Sequence, residues 1–309
     1  MVNMDRRIVE LVGSSDFERN LYEAAVRNLA DVDNKLRFNS FAYAMRELSR
    51  HFLHRLAPDE EVTKCSWYKN VTGKEGMLAR SERAAFAVHG GLSDDFVRDN
   101  LGLDIQVINK RLKDAVDGLS KYTHIEEAVF DLPPERVDAL VVETTEAFAG
   151  LFEAIRSCRC DILCELQEAI DDASVSEVLS DTIQEIDELA THHSIDEIYV
   201  HSTVITRISH DTVYIKAEGT IGVELQYGSN SDWRRGDGAK ISMSFPFGCE
   251  LTCPTSSPDA DFLKFEPNSL EVDNRKWHEG DAEEYEDLNA ELVVEDETTT
   301  AVRDKEADF

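Results

Sequence analysis

Long apolar runs are missing from this chain. No stretch approaches the ~20 consecutive apolar residues that a membrane-crossing helix needs, and the opening Met-Val-Asn-Met-Asp-Arg-Arg has no signal-peptide core. A soluble, cytoplasmic protein with no membrane partner is expected. No Cys-x-x-Cys pair occurs: Cys249 and Cys253 are four apart, and Cys158, Cys160 and Cys164 fall inside a helical pattern. The six cysteines are therefore expected as reduced structural thiols and not as a zinc site or a disulfide framework. Basic charge is also scarce. Lys and Arg number 32 against 63 Asp and Glu, a net charge of −31, and arginine outnumbers lysine. Twelve of the acids and only two bases lie between Asp281 and Phe309, which leaves −21 for the body of the chain. Such a field repels nucleic acid over most of the surface, so a phosphate site must be a local basic island. The acidity fits either a source of high internal salt or an acidic partner-binding surface.

What is present is globular composition, 42% apolar and 31% charged over 309 residues, enough for two domains with their own cores. The organising stretch is Phe38 to Leu56. Phe38, Phe41, Met45, Leu48, Phe52 and Leu56 recur at three- and four-residue spacing and line one side of a helix, which Pro58 ends. Its other side gathers Arg46, Arg50, His54 and Arg55, with His51 at the edge of the stripe. Either this is a solvated basic face suited to a helix C-terminus, or it is a site.

The rest reads as follows. Ser15 and Glu18 form a capping box that opens a helix burying Phe17, Leu21, Ala24, Ala25 and Leu29. Trp67 and Tyr68 read as plugs on a core, and Ser81 to Val88 as a short helix ended by Gly90-Gly91. Ser93 to Leu119 has the form of a helix, a turn with Asp104 as cap, and a second helix, as in a helix-turn-helix. Gln106, Asn109, Lys110 and Lys113 would face a groove there, although five aspartates surround them. His124 follows that helix. A long stripe from Val137 to Ile170 asks for several partner helices or another subunit, and Ser174 with Glu177 predicts a fresh helix start. From Ser194 the periodicity alternates. Strands are expected over Ile198 to Ile208, Thr212 to Glu218, Thr220 to Tyr227 and Ala239 to Leu251, with Ser209-His210-Asp211 a hairpin turn and Gly219 a break.

The fold class is thus α+β: a helical domain over 1–193, a small antiparallel β domain over 194–253, and an acidic, largely disordered tail over 254–309, with disorder expected beyond Trp277.

The Arg46-x4-His51 spacing in a helix resembles the motif of HEPN ribonucleases. The resemblance implies metal-independent RNA cleavage, with the Arg and His of two protomers meeting across a homodimer interface. Within one helix, residues five apart point about 140° away from each other, whereas Arg50 and His54, four apart, share a face. On this reading the candidate catalytic residues are Arg46 and His51, helped by Arg50, His54 or His124.

Longer motifs carry a second likeness. Val223-Glu-Leu-Gln-Tyr-Gly-Ser-Asn-Ser-Asp-Trp-Arg-Arg-Gly-Asp-Gly238, Ser244-Phe-Pro-Phe247, Phe41-Ala-Tyr-Ala-Met-Arg-Glu-Leu48, Cys65-Ser-Trp-Tyr68 and Gly90-Gly-Leu-Ser-Asp94 look like the predicted pPIWI-associating nucleases of prokaryotic conflict systems. The likeness spans about Leu36 to Cys253 and leaves the first helix and the tail outside. It implies a nuclease role beside an Argonaute-like partner in defence against foreign nucleic acid.

Three further readings stay open. Asp211 and Glu224 are loosely placed like a restriction-endonuclease acid pair for a divalent metal such as Mg, with Gln226 where a lysine would stand. Arg234 and Arg235 in the polar loop could grip a phosphate or an acidic partner. A non-catalytic adaptor, binding a partner protein or DNA through the helical domain, is the competing function.

Overall fold

The computed structural model describes residues 4–180, 183–190, 192–229, 231, 235 and 238–278. The predicted disorder beyond residue 278, and Arg234 with its neighbours Asp232 and Asp237, lie outside the described residues. Helices come first and an antiparallel sheet follows, so the fold class is α+β. The chain divides into two compact units. One comprises Met1–Ile170, Val204–Lys216 and Leu251–Lys264. The other comprises Asp171–Thr203, Ala217–Glu250 and the residues from Phe265 onward.

The first unit is arranged around α3 (Arg37–Leu56). The spaced apolar residues do what their period requires: Phe38, Phe41, Met45, Leu48 and Phe52 are almost wholly buried. Each such side chain contributes ~1.5–3 kcal/mol on burial. The helix has no side-chain N-cap, so packing holds it. Its partners are α2 (Asp16–Ala30), α5 (Arg80–His89) and α7 (Ile105–Ser120). Phe52 also meets Phe148 of α8 (Pro134–Ser180) edge to face at 5.5 Å. The one buried amide on α3, Asn39, donates to the Tyr122 carbonyl at 2.9 Å. Two short helices, α1 (Arg6–Val12) and α4 (Asp59–Val62), flank this core, and α6 (Asp94–Asp99) precedes α7.

Ser15 caps α2 as expected, accepting from the Glu18 N–H. Glu18 does not return that bond with its side chain. It is 4% exposed and takes the Arg55 guanidinium on both oxygens, at 2.7 and 3.1 Å, while Arg55 also donates to the Leu11 carbonyl. With Glu18 drawn inward, the buried face of α2 is Glu18, Tyr22, Ala25, Val26 and Leu29, and Phe17 stands 57% exposed. The second capping box is likewise unused. The chain from Asp171 to Ser174 has neither Pro nor Gly to interrupt it, α8 runs on to Ser180, and Ser174 is buried with its hydroxyl 3.8 Å from Cys249 Sγ. A single turn, α9 (Gln184–Asp187), follows.

The sheet is ordered β1 (His192–Ile208), β2 (Thr212–Tyr227), β3 (Ala239–Pro254), β4 (Lys264–Phe265), with β5 (Glu271–Val272) antiparallel to β3. Gly219 does not break β2. A Cβ there would lie 2.1 Å from the Tyr199 carbonyl and 2.5 Å from the Phe247 ring, so the glycine permits close approach.

The tip of the β1–β2 hairpin belongs to the first unit, and Gly90-Gly91 is built to receive it. Gly90 has φ +56°, and a Cβ on Gly91 would lie 1.9 Å from the His210 carbonyl oxygen. The Gly91 N–H donates to the Ser209 carbonyl, and Glu61 Oε2 accepts both from the His210 N–H at 3.0 Å and from its Nδ1 at 2.9 Å. That hydrogen bond holds the Glu61 carboxyl below its ordinary range. Trp67 donates to the Gly90 carbonyl and lies against His89, a fully buried imidazole whose two nitrogens have no partner among the described residues. Desolvation pushes that imidazole down to about 4.

Candidate functional site

On α3, Arg46, Arg50 and His54 follow one another at intervals of four, each about 40° round from the last, and so stack on one face. The structure places them together along a cleft of about 220 Å³ in the first unit, which Arg80 and Arg83 of α5 complete. Glu47 is the one acid lining it.

The cations of this cleft are unequally committed. Arg83, 7% exposed, binds Asp59 at 2.7 Å and the Ala57 carbonyl at 2.7 Å. Arg80 reaches Asp117 at 3.2 Å, and Arg50 reaches Glu47 at 3.0 Å. Arg46 has no side-chain partner among the described residues. His54 is held below its ordinary range by partial desolvation, then by the Arg83 charge, with Asp59 opposing. At neutral pH its imidazole is accordingly an acceptor. Arg46 and His54 stand two turns apart, about 12 Å along the helix, with Arg50 between them. A proton acceptor and an uncommitted guanidinium that line one cleft can take a proton from a hydroxyl and hold a phosphate.

The other residues singled out in the sequence lie elsewhere. His51 sits outside the cleft with its ring edge-on to Phe17 at 4.9 Å, joined to the cleft only through Arg50 Nη2 at 3.1 Å from its Nε2. The 140° divergence therefore holds. His124 is exposed in the turn after α7. Lys110 and Lys113 are exposed on α7, whose start Asp104 caps, so the helix, turn and helix are present. Arg98, on α6, is taken up by Asp95 and Asp99. Arg235 is exposed and donates to the Ser231 carbonyl.

Asp211 accepts from the hydroxyls of Ser209 and Thr212, the first of which chiefly keeps its carboxyl below the usual range. Glu224 pairs with Lys240. Among the described residues no three His, Cys, Asp or Glu side chains are grouped to hold a metal. Burial pushes the Cys65 and Cys158 thiols up to about 12, in keeping with structural roles. No described helix is long and apolar enough to cross a membrane.

Sequence reasoning missed Arg80 and Arg83. Their signal was weak: two arginines three apart in a short helix read as solvated, and only the packing of α5 on α3 turns them to the cleft.

Two family models, both described as predicted pPIWI-associating nuclease, match the chain over residues 12–148 and 155–278. The chain belongs to that family. The first match of the pPIWI-associating nuclease family contains α3 and its cleft, and the second contains the sheet. Together they extend the likeness beyond Leu36 to Cys253 and bring in α2, which the sequence motifs left outside. No curated protein and no solved structure matches the chain.

Proposed function

We propose that this chain cleaves phosphodiesters at the α3 cleft, without a metal cofactor, and does so beside an Argonaute-like protein in a prokaryotic defence system. The observation that carries the reading is one cleft lined by the uncommitted Arg46 and, two turns along the same helix, by His54, a histidine kept neutral. On RNA, His54 accepts the 2′-hydroxyl proton, and Arg46, helped by Arg50, holds the phosphate as negative charge builds on it. His51 faces away in its own chain, so on the HEPN-like reading it enters the cleft of a second copy as the acid for the leaving oxygen. The exposed Phe17 beside it gives that homodimer an apolar contact.

The test is cleavage of labelled single-stranded RNA and DNA by the purified protein, with and without chelator, alongside His54→Ala and His51→Ala. RNA cleavage that survives chelation and is lost in His54→Ala supports the site. If each variant is inactive alone, mixing them restores activity when the two histidines act in trans. Undiminished cleavage in His54→Ala removes the cleft from the chemistry. Activity that chelator abolishes turns attention to Asp211 and Glu224.

A second reading rests on the pairing of Arg50, Arg80 and Arg83 with carboxylates, which reduces the cleft's attraction for phosphate. On that reading the protein is an adaptor, binding a partner protein or DNA with Lys110 and Lys113 outward. A salt titration of DNA binding decides it: a flat response excludes phosphate contacts.

A further inference from the structure

A second cavity of the first unit, about 230 Å³, is walled by the end of α3, by α5, by α8 and by the β1 end of the hairpin. Three arginines line it. Arg55 is matched by Glu18. Arg207 has its guanidinium 4.3 Å over the Tyr214 ring and pairs with no carboxylate among the described residues. Arg159 of α8 is the unusual one. Its Nε is sealed from solvent with no hydrogen-bond partner among the described residues, and no carboxylate there pairs with it. Glu61 is the acid lining the cavity, and its Oε2 already accepts two bonds from His210. Two unmatched cations therefore face one small space.

A partly buried guanidinium without a counter-ion is costly to the extent that it is desolvated, and its ordinary resolution is a carboxylate supplied by the fold. Here the one lining carboxylate, Glu61, is engaged by His210, and among the described residues no carboxylate pairs with Arg159 or Arg207. The walls are nevertheless firmly set, because Gly91, Glu61 and Thr255 all bond the hairpin tip, Thr255 through the Asp211 and His210 carbonyls. Such a cavity is pre-organised for an external anion. Two guanidinium groups can both bond one phosphate, and a phosphomonoester, at about −1.5 to −2 at pH 7, is drawn to them more strongly than a diester linkage at −1, with Glu61 the opposing charge in the lining. The volume lies below the ~300–1,000 Å³ of pockets that enclose whole small molecules, which suits a phosphate group and not the nucleoside attached to it.

We propose that this cavity binds a phosphomonoester, with Arg159 as its anchoring cation and Arg207 as the second. The site is separate from the α3 cleft and does not depend on cleavage there. The phosphate comes either from a strand end or from a small free phosphate compound.

The experiment is thermal unfolding and calorimetric titration of the full chain at matched ionic strength, with inorganic phosphate, a 5′-phosphorylated oligonucleotide and its 5′-hydroxyl counterpart. The variants are Arg159→Met and Arg207→Gln. Phosphate should raise the wild-type melting temperature with dose, and each variant should lose affinity about tenfold or more, the scale of a charge-assisted hydrogen-bond pair. Without phosphate, Arg159→Met should melt at or above the wild-type temperature, because it removes an unmatched, partly desolvated charge. Binding of the 5′-phosphorylated but not the 5′-hydroxyl strand assigns the strand end. Binding of inorganic phosphate with neither strand assigns a small compound. No wild-type response, or an equal response in wild type and Arg159→Met, overturns the proposal. Arg207→Gln, at an exposed position, keeps the test valid should Arg159→Met fold poorly.

Discussion

The α3 cleft and the hairpin cavity both hold arginines in the same unit, and they treat them in opposite ways. In the cleft, Arg50, Arg80 and Arg83 each meet a carboxylate of the chain, and Arg46 meets none among the described residues. In the hairpin cavity Arg55 is matched, and Arg159 and Arg207 are left over. Matching stabilises the fold and dulls the site, whereas an unmatched cation weakens the fold and keeps its full attraction for an outside anion. In a chain of net charge −31, cations left unpaired in cavities are the places where phosphate can be held against the overall field. His89 shows a third outcome: a buried base that has given up its proton.

The comparison breaks most severely at His54. Its replacement by alanine should reduce cleavage by about 10²–10⁴-fold, the usual contribution of a positioned acid–base group, while phosphate binding at the hairpin cavity stays unchanged. Loss of both would mean that the two regions are one site.

The matched cations should show in stability. Arg55→Ala leaves the Glu18 carboxylate buried without a counter-ion and should cost about 3–5 kcal/mol in denaturant unfolding. A cost near zero would show that Glu18 finds water or another partner.

For His89 the unfolded chain takes up the proton near pH 6.5, and the folded chain only near about 4. Between these values the unfolded state binds more protons, so stability falls as pH falls through that window, by about 3 kcal/mol in all, and no further below it. Urea unfolding as a function of pH should show this slope in the wild type and not in His89→Phe.

Gly91→Ala is the smallest of the four changes. Its Cβ would meet the His210 carbonyl, and forced overpacking of this kind costs about 1–3 kcal/mol. The variant should lose phosphate binding through a displaced hairpin wall while cleavage at the α3 cleft remains. Lost cleavage with intact phosphate binding would reverse the assignment of the two regions.

Much of this was legible in the chain because it is local. The extent of α3 follows from six apolar residues and Pro58, the start of α2 from Ser15, and the shared face of Arg46, Arg50 and His54 from spacing alone. The unread features depend on distant partners. Glu18 has the spacing of a cap, and its partner, Arg55, is 37 residues away. Gly219 has the look of a strand break, and the Phe247 ring that needs the space lies on another strand. Arg159, in a helix dense with charges, gave no sign that it would lie in a cavity whose lining carboxylate, Glu61, is taken by His210.

The make-up of the first unit has a consequence for how the protein is made. Its helices are complete once the ribosome has passed residue 170, yet Val204–Lys216 and Leu251–Lys264 are also parts of it. Until they emerge, Gly90-Gly91 has no hairpin to receive, and Glu61 has no histidine. A closure over more than a hundred residues is entropically slow to find, so the helical part waits through the synthesis of the sheet with one face open. A nascent chain stalled near residue 170 should therefore be open to protease at Asp59 to Leu92, and the full-length chain closed there.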